Sequence, residues 1–139
     1  MKETYNQKYG TSPIYTFDLG ASGLSAGSSK LFDFENDNPE TLTYLPFNFV
    51  NIVNNSSNRV KVTINQDDRR VYYINSGTII NFDKKTIPAI WYVEIENQGT
   101  TTITQDQLTM TVYREGITVD SLVQKAHKFI FARKKRNVI

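Results

Sequence analysis

Through the middle of the chain apolar and polar residues alternate with a period of two, the pattern of strands that bury one face and wet the other. In residues 59–65 (RVKVTIN) Val60, Val62 and Ile64 point inward, and Arg59, Lys61 and Thr63 point to water. The run at 90–97 (IWYVEIEN) puts Trp91, Val93 and Ile95 inside and Tyr92, Glu94 and Glu96 outside. In 107–114 (QLTMTVYR) Leu108, Met110 and Val112 alternate with Thr109, Thr111 and Tyr113. Both runs read as half-buried antiparallel strands.

Five further runs carry strand composition with looser alternation: residues 14–19, 30–35, 45–53, 70–75 and 78–82. Turn chemistry separates them, with NNSSN at 54–58, QDD at 66–68, NSG at 75–77, DKK at 83–85 and NQG at 97–99. About eight short strands joined by short polar turns predict an all-β, antiparallel, jelly-roll-like β-sandwich.

Two segments break this rhythm. Residues 20–30 (GASGLSAGSSK) are small and aperiodic, which predicts a flexible loop or hinge. The expected organisation is therefore an N-terminal arm and hinge at 1–30, a sandwich at 31–116, and a C-terminal basic helix and tail at 117–139. Whether Tyr15, Phe17 and Leu19 pair on this domain or on a neighbouring subunit stays open at this level.

From Thr118, read as an N-cap, the period becomes helical. Val119, Leu122, Val123, Ala126, Phe129 and Ile130 fall on one stripe, with Asp120 near the positive end of the helix dipole and basic residues near the negative end. Phe131 lies off the stripe, where a monomer in water gains nothing from it.

Charge sharpens the contrast. The 139 residues carry a net charge of +2, but from Ile117 onward Lys125, Lys128, Arg133, Lys134, Lys135 and Arg136 stand against Asp120 alone, leaving the remainder at −3. Such a run could meet phosphates, anionic lipid headgroups or an acidic groove on another subunit, or remain a solvated tail.

Composition removes most chemistry. There is no cysteine, so disulfides, thiolate nucleophiles and cysteine-ligated metals are excluded. His127 is the one histidine and sits among lysines on the predicted helix, a poor place for a general base. The first 15 residues lack a secretory apolar core, and no run approaches the roughly 18–20 apolar residues that span a bilayer, so a soluble protein without cofactor is expected.

The remaining constellations have plain readings. Glu94 and Glu96 sit two apart on one strand, too close for the opposed carboxylates of a glycosidase. Residues 33–40 (DFENDNPE) collect oxygen ligands without calcium-loop spacing, so a solvated acidic turn is expected. The sequons at Asn54 and Asn55 read as a turn, and QDDRR as a self-neutralised hairpin tip. Tyr72, Tyr92, Tyr113 and Trp91 could build a sugar-binding platform, but alternation buries Trp91 and strand tyrosines commonly pack.

The stretch RVKVTINQDDRRVYYINSGTIINFD, followed by VEIENQGTTTITQDQLTMTV, resembles the small β-sandwich and jelly-roll structural proteins of virions, namely capsid, vertex or decoration subunits of phages and archaeal viruses, over roughly residues 45–114. The resemblance implies a non-enzymatic building block, assembled in the host cytoplasm into a virion, whose partners are other copies of itself and other virion proteins. On this expectation Leu122, Val123, Phe129, Ile130 and Phe131 form an assembly interface. Lys125, Lys128 and Arg133 to Arg136 make basic contacts with protein, genome nucleic acid or membrane headgroups. The competing expectations are a carbohydrate- or receptor-binding module using Tyr72, Tyr92 and Tyr113, and a nucleic-acid or membrane-surface binder acting through the tail.

Overall fold

The computed structural model describes residues 10–116. Eight strands form: β1 Tyr15–Asp18, β2 Ser29–Asp33, β3 Phe49–Asn54, β4 Val60–Ile64, β5 Val71–Ile74, β6 Thr78–Phe82, β7 Tyr92–Asn97 and β8 Leu108–Tyr113. Among the described residues the helical elements are two short 3-10 turns, Pro39–Tyr44 and Gln105–Gln107. The expected helix and tail at 117–139, with Leu122, Val123, Phe129, Ile130, Phe131 and all six basic residues, lie outside the described residues.

The strands build two four-stranded antiparallel sheets ordered β1-β8-β3-β6 and β2-β7-β4-β5. Six of the seven connections between successive strands pass from one sheet to the other, and only β4–β5 is a hairpin within a sheet. Each sheet therefore depends on pairings between residues far apart in sequence, such as Tyr15 opposite Val112 and Ser29 opposite Glu96.

Alternation sets the register. Val60, Val62 and Ile64 on β4, Val93 and Ile95 on β7, and Leu108, Met110 and Val112 on β8 are all buried, as their spacing predicted. A one-residue slip of any of these strands would turn the whole set to water. Ile52 and Val50 on β3 complete the same layer.

Trp91 departs from the expectation. It is 36% exposed, because the chain bends just before β7 begins. Ile90 takes the inward position and bridges to Phe47 through reciprocal backbone hydrogen bonds of 2.7 and 3.1 Å. The bend is held by Asn65, whose side-chain oxygen accepts the N–H groups of Trp91 (2.7 Å) and Tyr92 (3.2 Å) and whose Nδ2 donates to the Ala89 carbonyl (2.8 Å). The inside–outside phase thus shifts between Ile90 and Val93.

The pairing of Tyr15 and Phe17, left open by the sequence, falls on this chain. β1 pairs with β8 of the same chain, so residues 15–18 are part of the sandwich. The cause is aromatic packing: Phe17 lies 5.9 Å from Phe32 and 5.5 Å from Phe34, and Tyr15 lies 5.8 Å from Phe47 between ring centroids. Phe34 and Phe47 meet edge to face at 5.2 Å, a geometry that adds to plain area burial. The following small-residue loop is tied down where Leu24 and Ile103 exchange backbone hydrogen bonds of 2.8 and 2.9 Å. Gly23 makes that approach possible, since it has φ +64° and a Cβ there would lie 2.3 Å from the Ile103 carbonyl oxygen.

Candidate functional site

Because strand side chains alternate, each sheet turns every second residue away from the core, and the two outer faces differ in kind. On β2-β7-β4-β5 the outward residues carry charge. Lys61 lies opposite Glu96, Thr63 lies opposite Glu94, and the Arg59 guanidinium sits 4.6 Å above the Tyr73 ring. Gln98 also donates to Glu96 at 3.1 Å.

On β1-β8-β3-β6 the corresponding rows read Thr16–Thr111–Asn51–Asn81 and Asp18–Thr109–Val53–Ile79. Phe49 stacks on Tyr113 at 4.5 Å and 30°. The Asn51 amide donates to the Asn81 side chain, and Ile79 stands 60% exposed. Asp18, on the edge strand β1, is the only charged residue among the outward positions of these four strands. A soluble sandwich ordinarily places charges on such a face, whereas the centre of a protein interface is depleted of them.

The two ends of this face are distinct. At the Tyr113 end the last described residues are fixed by pairing: the Arg114 carbonyl accepts from the Ser12 N–H (2.9 Å), Asn48 exchanges hydrogen bonds of 2.9 and 2.7 Å with Glu115, and the Gly116 N–H donates to Thr11 (3.1 Å). At the Leu108 end stand Asp18 and Asp106. The Asp18 carboxylate accepts hydrogen bonds from the Gln105 side chain (3.0 Å) and the Gly20 N–H (2.8 Å), and these hold its pKa below the ordinary value.

The tyrosines expected as a platform are not brought together. Tyr72 on β5 turns inward onto Phe82, 4.5 Å between centroids, and Tyr113 belongs to the other sheet. Tyr92 faces outward beside exposed Trp91 and donates to Glu35 at 3.2 Å, a carboxylate contact that pushes the phenol pKa up. Asp33 closes its own turn by accepting the N–H groups of Glu35 (3.2 Å) and Asn36 (3.1 Å). Among the described residues no group of three or more acidic or histidine side chains gathers in a metal-holding arrangement. Asp67 pairs with Arg69 at 3.2 Å, which lowers the carboxyl pKa at an exposed tip.

A cleft of about 340 Å³ opens where the edges of β1 and β2 part, lined by Phe17, Asp18, Lys30, Phe32 and Asp37 among others. Lys30 is already engaged there, donating to the Leu19 carbonyl at 3.2 Å and lying 5.2 Å over the Phe32 ring.

Two features escaped the reading of the sequence. The uncharged face was legible in FVNIVN and LTMTVY, whose outward residues are Phe, Asn, Val, Thr and Tyr, once set beside the charged outward residues of VKVTI and YVEIEN. The other is a buried asparagine network at the β3–β4 end, for which composition gave no signal beyond turn-forming residues. Asn54 donates to the Asn58 and Ile74 carbonyls (2.8 and 3.1 Å), and Asn58 donates to Asn97 (3.1 Å) and to the Thr101 carbonyl (2.7 Å). Asn97 donates in turn to the Leu24 and Thr101 carbonyls (3.0 and 2.8 Å).

No protein-family model and no curated protein matches the chain. Among solved structures, the crystal structure of the STIV major capsid protein overlaps it with a TM-score of 0.27 and 8% identity, over 82% of this chain and 52% of that one. The chain thus spans about half the length of that protein. An overlap this loose carries no argument about fold or function.

Proposed function

We propose that the chain is a non-enzymatic structural subunit of a virus particle, of capsid, vertex, decoration or tail-associated type, which assembles with other copies and other virion proteins and takes no small-molecule substrate. The observation that carries this reading is the strand order. Sheets ordered β1-β8-β3-β6 and β2-β7-β4-β5, with six crossing connections, support reading the sandwich as a jelly roll, an architecture used by viral capsid domains and by lectins. Architecture alone does not specify function, and the charge-depleted outer face adds a surface of interface composition.

In this reading the terminal segments make the ties. Leu122, Val123, Phe129, Ile130 and Phe131 meet an apolar surface, while Lys125, Lys128 and Arg133 to Arg136 meet acidic protein, phosphate or headgroups. The test compares the full chain with a chain ending at Gly116, by light scattering and negative-stain electron microscopy. β8 and its pairing partners are complete by Gly116, so the shortened chain should fold and fail to assemble. Unchanged assembly would return the tail to a solvated appendage, and failure to fold would make it part of the core.

A second reading, a carbohydrate-binding module, draws on the exposed Trp91 beside the Tyr92–Glu35 pair. Glycan-array binding lost on Trp91→Ala would favour it.

A further inference from the structure

We infer that the uncharged outer face of β1-β8-β3-β6 is the seat of this chain's own C-terminal segment, with residues 118–131 lying as a helix over β8 and β3. The inference rests on the structural-subunit reading above and narrows it: the apolar stripe seats on the chain's own sheet, and the tail, through Phe131, becomes the surface that this face offers to other subunits.

Three observations converge. The first is composition: the face offers Phe49, Val53, Tyr113 and Ile79 among threonines and asparagines, and its central strands β3 and β8 carry no outward charge. The stripe of Leu122, Val123, Ala126, Phe129 and Ile130 needs a surface of that kind. The opposite face would set the same stripe against Lys61, Glu94 and Glu96.

The second is where the chain leaves. Gly116 is pinned to Thr11 at the Tyr113 end of the face, and the stripe begins within a few residues of it. Nine strand residues from 108 to 116 extend about 30 Å at roughly 3.3–3.4 Å each, and nineteen helical residues from 118 to 136 extend about 28 Å at 1.5 Å each. A helix that turns back after Gly116 therefore brings Leu122 and Val123 over Tyr113 and Phe49, and Phe129 and Ile130 over Thr111.

The third is charge. The same geometry delivers Arg133 to Arg136 to the Leu108 end, where Asp18 and Asp106 stand, and a neighbouring opposite charge at a partly covered site is favourable. Phe131, off the stripe, is left facing away from the sheet, available to another subunit.

The chain contains no cysteine, so engineered pairs report cleanly. The full-length Thr111→Cys/Ala126→Cys variant, treated with a short bismaleimide, should give a cross-linked species running as a single chain. The Thr63→Cys/Ala126→Cys control, with its first cysteine on the outer face of the other sheet, should give little. Equal cross-linking of both pairs, or of neither, would overturn the inference. A cross-linked dimer in place of the single-chain species would overturn it in favour of the tail of a second copy. Assembly measured on the untreated, unsubstituted chain stands apart: particles that form while Thr111 and Ala126 fail to cross-link would leave the structural-subunit reading intact and remove only this seat.

Discussion

Replacing Asn97 with alanine should destabilise the domain strongly without removing any apolar side chain. Asn97 is fully buried at the end of β7, and its side chain makes four hydrogen bonds: two donated to the Leu24 and Thr101 carbonyls, and two accepted from the Gly99 N–H (2.9 Å) and Asn58 Nδ2. At a net value of about 1 kcal/mol each, their sum is about 4 kcal/mol. Part of that is recovered, because the Leu24 carbonyl keeps the Ile103 N–H and the Thr101 carbonyl keeps Asn58. The Gly99 N–H loses its side-chain acceptor, a loss worth about 1–3 kcal/mol, and the expected total is about 2–4 kcal/mol. For a domain of about this size each kcal/mol moves the Tm by about 4–8 °C, so a fall of at least about 8 °C should be seen.

Urea titration followed by far-UV circular dichroism measures the loss directly, provided the m-value is unchanged. Gln98→Ala is the control, since its exposed side chain bonds only Glu96 and Arg59 at the surface of the β2-β7-β4-β5 sheet and should cost no more than about 0.5 kcal/mol. A loss below about 1 kcal/mol at Asn97, or one equal to that at Gln98, would refute the view that this network ties the two sheets at that end.

Val62→Asp and Val93→Asp should each prevent folding, because both sites have no exposed surface and an unpaired buried charge costs several kcal/mol, roughly; soluble variants with ordinary melting would disprove the register. Asp18, Asp67 and Asp83 all have folded-state pKa values below the ordinary 3.8, the last chiefly through the Thr86 N–H. Their contribution to stability is present above that ordinary value and is lost as pH falls through the lower folded values. The Tm should therefore hold steady between neutral pH and about 5 and decline below about 4, and a Tm that rises on acidification would contradict the assigned contacts.

The strands with the strictest alternation were decided by sequence alone. RVKVTIN, VEIEN and LTMTV bury the residues their period names, because a period of two leaves one way to hide the apolar set. Turn residues at 54–58 and 97–99 likewise mark real strand ends. What local pattern could not carry was every feature set by a distant partner. Trp91 points outward because Asn65, 26 residues earlier, accepts its N–H and bends the chain. β1 belongs to the sandwich because Phe17 finds Phe32 and Phe34 across the interior. Asn54, Asn58 and Asn97 look like solvated turn residues until tertiary packing buries them, and burial is what forces each to find a partner. The uncharged face is of the same origin: its residues lie on four strands scattered from Thr16 to Tyr113, and only the order β1-β8-β3-β6 makes them neighbours.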